Sequence, residues 1–551
     1  MSSQVYLDAM VREAPRLLSL LDRNPLSKTY GCFDRQFWHY KAIDFPCARM
    51  QEAALTLALL YRIGHEKNPY HGSGLVCEYV NAALDYWTGI QDGNGSFSEW
   101  YPHENSFVAT VFTSYAASEA LLLMGDEARK KSKVLHSLTK AAEWFMERDE
   151  NRAVNQETGA IAALYNLFLL TGDEKYKRAA SEKMEFIKAN QHPEGWFPEY
   201  GGADMGYLSL AIDYLAKYYA KSGDKEALKV LENSVGYIGY FIHPDDTFGG
   251  EYTSRNTSYL IPDGFEKLAQ AIPDAGLIAA AIRKSIENGS GAWPLSLDDR
   301  YLAYIGYTYL QAYLDSGELE NNKGSLPRDR DLVKDFKGSG FWIYSNSDLY
   351  IVMNYRKGGA SKIFFKSRGM SITDSGVLAE SLDGARMTSS WLTENTDAVI
   401  NQKGAKVKGT LHMMPQSYLT PVKSVMLRAF QMTAGKNSFI GHTVKNRLRD
   451  RLITKTGETS IKYSREIALA ADGLTITDTI HDAKELKDIL IGGTVSYVYT
   501  PSSRYFQRSD LNSAPLVISH KEISEHARSG ALTVSRTYDL KGKIIRREIG
   551  R

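Results

Sequence analysis

Three short segments set a carboxylate beside aromatic rings: FSEW (97–100), FPEY (197–200) and FGGEY (248–252). They pair Glu99 with Trp100, Glu199 with Tyr200 and Glu251 with Tyr252. Such rings stack on the apolar faces of sugars, and carboxylates accept hydrogen bonds from sugar hydroxyls. Cations stand on comparable segments: Lys41, Arg49, Arg255 and Arg300. Together the two sets suit a sugar polymer that carries uronate groups. Chemistry at a uronate starts with loss of the C5 proton. It needs a neutraliser for the carboxylate, a base, and an acid for the leaving oxygen. GEYTSRNTSY (250–259) supplies Tyr252, Arg255, Asn256 and Tyr259 together. Asn155 and Gln156, at a helix start, are placed to hold a carboxylate. His103 is a second proton-transfer candidate, with Glu104 to orient it and Asn105 beside it. Free tyrosine ionises near ~10, so a tyrosine base needs a cation next to it. Tyr200, Tyr207 and His39 complete the candidate set.

Three reactions fit this inventory. One is β-elimination at a uronate. A second is C5-epimerisation, which begins with the same proton abstraction. The third is glycoside hydrolysis by two carboxylates drawn from Glu99, Glu199, Glu251 and Asp204. A non-catalytic carbohydrate-binding scaffold is the fourth reading.

The composition excludes other classes. With 66 basic and 65 acidic residues, the chain has no overall basic field of the kind nucleic-acid binding uses. Its 34 tyrosines and 8 tryptophans suit a sugar cleft or large helical cores. Cys32, Cys47 and Cys77 are too sparse for a disulfide framework and form no CxxC pair. No phosphate-binding loop, HExxH or GxSxG occurs, so no cofactor is indicated. A divalent metal held by ligands from separate loops stays open. The N-terminus carries Asp8 and Glu13 and no signal pattern, so the chain reads as cytoplasmic as it stands, or as periplasmic or secreted if a leader has been removed. The apolar run AALTLALLY (53–61) is too short to span a bilayer, so no membrane insertion is expected. The expected partner is an acidic polysaccharide or oligosaccharide; oligomeric state has no sequence signal.

Residues 1–320 read as helices, with apolar positions at helical spacing. MGDEARK, TGDEKYK and SGDKEAL share a Gly-Asp turn at Gly125, Gly172 and Gly223, about 50 residues apart, with further copies at Gly64 and Gly317. Two helices per period give six hairpins. Closed into a ring they form an (α/α)6 toroid; left open, a solenoid. Each hairpin has one short Gly-Asp turn and one long connection. The long, aromatic-rich connections must therefore share one rim. Residues 321–340 read as a polar linker. From 341 to 551, DLYIVMNYR, GLTITDTI, IGGTVSYVY and ALTVSRTYDL alternate as strands and predict an antiparallel β-sandwich. The fold class is thus multidomain α+β.

YGCFDRQFWHYKAIDFPCARMQEAALTLALLY and GSFSEWYPHENSFVATVFTSYAASEALLL, with SREIALAADGLTITDTI in the strand region, resemble heparinase II/III-like proteins of bacterial exopolysaccharide or O-antigen clusters. The resemblance implies an (α/α)6 toroid, a heparinase II/III-like C-terminal β-sandwich and a cleft for acidic polysaccharide. It implies a carboxylate-neutralising role for Asn155, a base and acid at Tyr252 or alternatively Tyr200, and a catalytic histidine at His103. Two departures stand out: no secretion signal, and no counterpart of the metal site of some members. The leading expectation is a polysaccharide lyase, with epimerase next.

Overall fold

The computed structural model describes residues 2–291, 293–318, 324–394, 396–414, 420–437, 440–441, 443–444, 447, 457–494, 505–527 and 530–550. The helices of the N-terminal half are α1 (Gln4–Leu20), α2 (Arg35–Trp38), α3 (Ala53–Arg62), α4 (Gly74–Gly89), α5 (Phe107–Met124), α6 (Lys131–Met146) and α7 (Asn155–Thr171). They continue as α8 (Glu174–Asn190), α9 (Met205–Ser222), α10 (Lys225–Ile238), α11 (Asp263–Leu268), α12 (Pro273–Asn288) and α13 (Asp299–Asp315). The odd-numbered helices from α3 to α13 pack each on the next, and α13 packs back on α3, closing a cycle. Helices α1, α4, α6, α8, α10 and α12 lie outside, against this cycle.

Burial separates the two sets. In α8 the buried residues Tyr176, Ala179, Ala180, Lys183, Met184 and Ile187 form one stripe, as on a helix with one wet face. In α7 almost every residue from Asn155 to Leu167 is buried, because neighbours press on it from several sides. Helix α5 is apolar all round for the same reason. Phe107–Glu127 is long and apolar enough to cross a membrane, but 72% of that window is buried inside the protein. The longest apolar stretch is therefore this one, not residues 53–61.

Gly125, Gly172 and Gly223 cap the C-termini of the inner helices α5, α7 and α9 with φ of 55°, 74° and 70°. No atom lies within 4 Å of where a Cβ would sit at these positions, so positive φ, not space, selects glycine. The sequence repeat thus marks the far ends of inner helices. The long connections feed their N-termini. Helix α11 departs from the pattern: it has only 6 residues.

Strands β1 (Leu332–Phe336), β2 (Phe341–Ser345), β3 (Leu349–Asn354), β4 (Ala360–Phe365) and β5 (Met370–Asp374) form an antiparallel sheet in sequential order. Strand β1 falls inside the stretch expected to be linker. It is an edge strand with Val333 and Lys334 outward, and its charges made it look like a connection. Strands β3 and β4 are buried along their whole length. Phe341, Ile343, Tyr350, Val352 and Phe364 point into the helical core. Trp342, Ile351, Met353, Ile363 and Phe365 point into a core shared with Val407, Ile467 and Ile476 of a second sheet. Among the described residues that second antiparallel sheet has ten strands, running from Val377–Ser381 to Ile544–Ile549. Of the predicted strand segment IGGTVSYVY, residues 495–499 lie outside the described residues.

The SREIALA segment carries an internal charge cluster. Arg465 reaches Asp374 at 2.6 Å and Asp478 at 2.7 Å, and Arg536 reaches the same two at 2.9 and 2.8 Å. All four residues are buried. Burial alone would raise the Asp374 carboxyl, but Arg465 and Arg536 hold it down to about 2.

Candidate active site

The long loops are locally strained. Among the described residues, eight non-glycines have positive φ, and six of them (Lys41, His103, Asn105, Tyr200, Asp246 and Asn256) sit on these connections. Tyr200, at φ 52°, is the bulkiest. Its backbone N–H donates to Arg152 O at 2.7 Å, tying the loop to the start of α7. Such strain collects where a side chain must be aimed.

Around Tyr200 stand the groups expected to handle a carboxylate. Asn155, the first residue of α7, donates its side-chain N–H to Glu199 Oε2 at 2.5 Å. Arg255 lies 3.8 Å from the other Glu199 oxygen. Its guanidinium sits over the Tyr200 ring at 4.6 Å and the Tyr207 ring at 5.6 Å. Burial raises the Glu199 carboxyl to about 8, which Arg255 only partly opposes. Burial would lower the Arg255 guanidinium, but Tyr207, Glu199 and Tyr200 raise it, so it stays charged. Burial, with Tyr301 and Tyr259 nearby, pushes the Tyr207 hydroxyl well up. Asp204 caps α9 and accepts from Thr253 Oγ1 at 2.8 Å and Arg255 N at 3.1 Å as well as from Thr257 Oγ1. Its job is to clamp the 253–257 loop and so aim Arg255. That occupies one of the four carboxylates named above for hydrolysis.

A chain of rings links this cluster to a second one. Tyr259 and Tyr301 lie 5.8 Å apart, as do Tyr301 and Tyr304. Tyr304 lies under the Arg49 guanidinium at 3.9 Å and accepts from Arg300 Nε at 2.6 Å. Arg300 also covers Trp100 at 4.1 Å, and Trp100 is 55% exposed. Arg49 binds Glu52 at 2.7 Å; burial raises Glu52 to about 7 against that cation. Glu99 is buried here and pulls electrostatically on Arg49 and Arg300. Cys47, Glu52 and Tyr304 were not singled out in the sequence. Arg300 had a usable signal, since it stands at the start of α13, close to the position in the repeat that Asn155 holds in α7; Tyr304 lies one turn further in.

Other candidates have different jobs. Tyr252 is 1% exposed, and its hydroxyl meets His243 Nε2 at 2.7 Å beneath the five-stranded sheet. Its ring stacks on Phe241 and meets Phe341 edge-on, so it packs the joint between domains and offers no open proton-transfer site. Asn256 turns its Oδ1 to the Lys357 ammonium at 2.5 Å, which also reaches Glu251 O and Thr253 O. His103 pairs with Asp92 at 3.4 Å. Asn105 accepts from Ser96 at 2.8 Å and donates to His103 O at 3.0 Å. Glu104 Oε2 accepts from the backbone N–H of Glu99 and Trp100 at 3.0 and 2.7 Å. The His103–Asn105 segment thus holds the loop's shape for Glu99 and Trp100. His39 lies exposed between the rings of Trp38 and Tyr40; Lys41 is exposed and Gln156 half-buried. No described contact brings these three into either cluster.

Glu104→Ala is expected to cost about 1–3 kcal/mol by leaving two N–H groups unpaired, read as a lowered melting temperature, with Glu104→Gln restoring most of it. Lost activity at unchanged melting would instead assign Glu104 to the chemistry.

Among the described residues, no group of three or more His, Cys, Asp or Glu is arranged to hold a metal ion. A cavity of about 420 Å³ lies between the start of the 243–259 loop and the five-stranded sheet, lined by Pro244, Asp245, Lys284, Arg328 and Lys366 among others. Its cations are already engaged: Arg328 with Asp246 at 2.8 Å, and Lys366 with Arg328 O and Asn346 O.

No protein-family model matches the chain, and no curated protein matches it in sequence. Solved structures do. A Paenibacillus xanthan lyase superposes with TM-score 0.50 at 12% identity, covering 88% of this chain and 46% of its own. A Streptomyces coelicolor A3 chondroitin AC lyase superposes with TM-score 0.52 at 10% identity, covering 89% and 68%. The chain has the fold of these polysaccharide lyases. It spans under half the length of the first and about two thirds of the second.

Proposed function

We propose that the chain is an enzyme, a polysaccharide lyase that cleaves a uronate-containing polymer by β-elimination, and that its ring is the (α/α)6 toroid of the heparinase II/III-like proteins its sequence resembles. The observation that carries this reading is the Asn155–Glu199–Arg255–Tyr200 cluster at the start of two inner helices. The likeness in fold to two polysaccharide lyases supports it.

In this reading the substrate carboxylate lies against Asn155 and Glu199. Near neutral pH the Glu199 carboxyl holds its proton, because burial raises it to about 8. It then donates a hydrogen bond to the uronate and does not repel it. As the C5–H bond breaks, negative charge spreads into the uronate carboxylate, where these donors stabilise it. Tyr200, its anion favoured by the Arg255 guanidinium, takes the C5 proton. The C4–O bond breaks, a C4=C5 double bond forms, and the same proton passes to the leaving oxygen. Asp204 is tied down by the 253–257 loop, which argues against its use as a hydrolytic carboxylate.

The test is a panel of uronate polymers monitored for the ultraviolet absorbance of the unsaturated product. Its appearance is expected. New reducing ends without absorbance would mean hydrolysis, and deuterium at C5 without cleavage would mean epimerisation; either sinks the lyase reading. A pH dependence follows as well. The Glu199 carboxyl is raised from 4.5 to about 8, so it is protonated below that value and charged above it. Activity is expected to fall as pH rises through about 8, and this alkaline limb is expected to disappear in Glu199→Gln.

A further inference from the structure

The five-stranded sheet grips the loop that carries Arg255. Between β3 and β4 the chain turns at Tyr355–Lys357, capped by Asn354. Lys357 is buried, and its ammonium donates to Glu251 O at 2.8 Å, Thr253 O at 2.6 Å and Asn256 Oδ1 at 2.5 Å. Those three bonds use every donor an ammonium has. Asn354 adds a fourth bond from the same turn, donating to Tyr252 O at 2.9 Å, while its Oδ1 accepts from the Lys357 backbone N–H at 3.1 Å. A buried ammonium carries a desolvation cost that an apolar side chain of similar length would avoid. What it gains here is a fixed loop.

Arg255 stands in the middle of the gripped segment. On the other side Asp204 holds Thr253, Arg255 N and Thr257, and Ser254 N donates to Ala203 O at 3.0 Å. The loop is thus pinned from the helical ring by Asp204 and from the sheet by Lys357, with Asn256 at φ 58° between the two. A second contact runs the same way. A Cβ on Gly202 would stand 2.6 Å from Leu392 Cδ2 and 2.9 Å from Ser254 Cβ, so the loop after Tyr200, the 253–257 loop and a segment of the β domain meet at one point. Both contacts bear on the two loops whose side chains, Tyr200 and Arg255, stack at 4.6 Å. We propose that Lys357 is a positioning residue: from the β domain it sets the place of Arg255 over the Tyr200 ring. It acts through the loop backbone and meets no substrate. The inference rests on the reading of Tyr200 as base and Arg255 as the cation that favours its anion.

The experiment compares the full chain with its Lys357→Met and Lys357→Arg variants. Ultraviolet titration of each, with the same chain carrying Tyr200→Phe subtracted, reads the ionisation of Tyr200 without any substrate. Lys357→Met frees the loop, so Arg255 moves off the ring and Tyr200 is expected to ionise at higher pH than in the native chain. On a polymer that gives unsaturated product, kcat is expected to fall about 10²-fold with a smaller change in KM, the size of effect that a displacement of about 1 Å causes. Lys357→Arg keeps the charge and the donors and is expected to return both readings towards native. A Lys357→Met chain that melts lower yet keeps the native Tyr200 titration overturns the proposal and leaves Lys357 a purely structural clamp. A native chain that cleaves no polymer would sink the lyase reading, while the titration, which needs no substrate, would still decide this one. If Lys357→Met does not fold, Asn354→Ala, which removes one bond of the same grip, is read in the same way.

Discussion

Tyr200→Phe, which removes one oxygen atom, is expected to lower the rate of unsaturated-product formation by about 10²–10⁴-fold, the usual span for losing a positioned proton-transfer group. The backbone at Tyr200 is held by Arg152 O and the ring by Arg255, and phenylalanine keeps both contacts, so the folded structure should be retained. The loss should fall on kcat, with KM nearly constant, if Asn155 and Glu199 hold the substrate as proposed. Tyr252→Phe is the control. It loses only the hydrogen bond to His243, so it should keep activity at a stability cost of about 1 kcal/mol. The opposite pattern, an inert Tyr252→Phe with a normal melt and an active Tyr200→Phe, would move the base to the domain joint and refute the assignment.

The second large effect concerns stability. Arg465→Ala is expected to destabilise the β domain by about 3–5 kcal/mol, because it leaves two buried carboxylates sharing Arg536. Chemical denaturation of native and variant chains measures this. A linked pH effect accompanies it. Asp374 ionises at about 2 in the folded protein, below its ordinary 3.8. Its contribution is full above that ordinary value and is lost as pH falls through about 2. In Arg465→Ala acid unfolding is expected to begin at higher pH. A variant with native stability would show that Arg536 alone satisfies both aspartates.

The repeat of Gly125, Gly172 and Gly223 was legible because each residue meets a local demand, a left-handed helix end, that glycine alone meets cheaply. Because those glycines stop inner helices, the opposite ends, with the long loops, also followed from the sequence. Asn155, Glu199, Arg255 and Tyr200 were on the candidate list for that reason. What the sequence hid was direction. FPEY and FGGEY look alike, but the second loop meets a sheet far along the chain: Asn354 Nδ2 bonds Tyr252 O at 2.9 Å and turns that ring inward. Glu104 looked like spare chemistry because its partners are backbone N–H groups, which every residue has and no motif reveals. Arg465 sat in a readable strand, yet nothing local told that an arginine there faces inward to aspartates on two other strands.

The inner strands β3 and β4 of the five-stranded sheet have no free face. One side belongs to the helical core and the other to the second sheet. A chain cut near residue 320 would strip Phe341, Tyr350 and Phe364 from the ring, and a chain begun there would carry the same side chains bare. Neither half is a transplantable module. The molecule should melt in one calorimetric transition, and gene fusions that exchange its C-terminal half should yield insoluble protein unless the sheet travels with its ring.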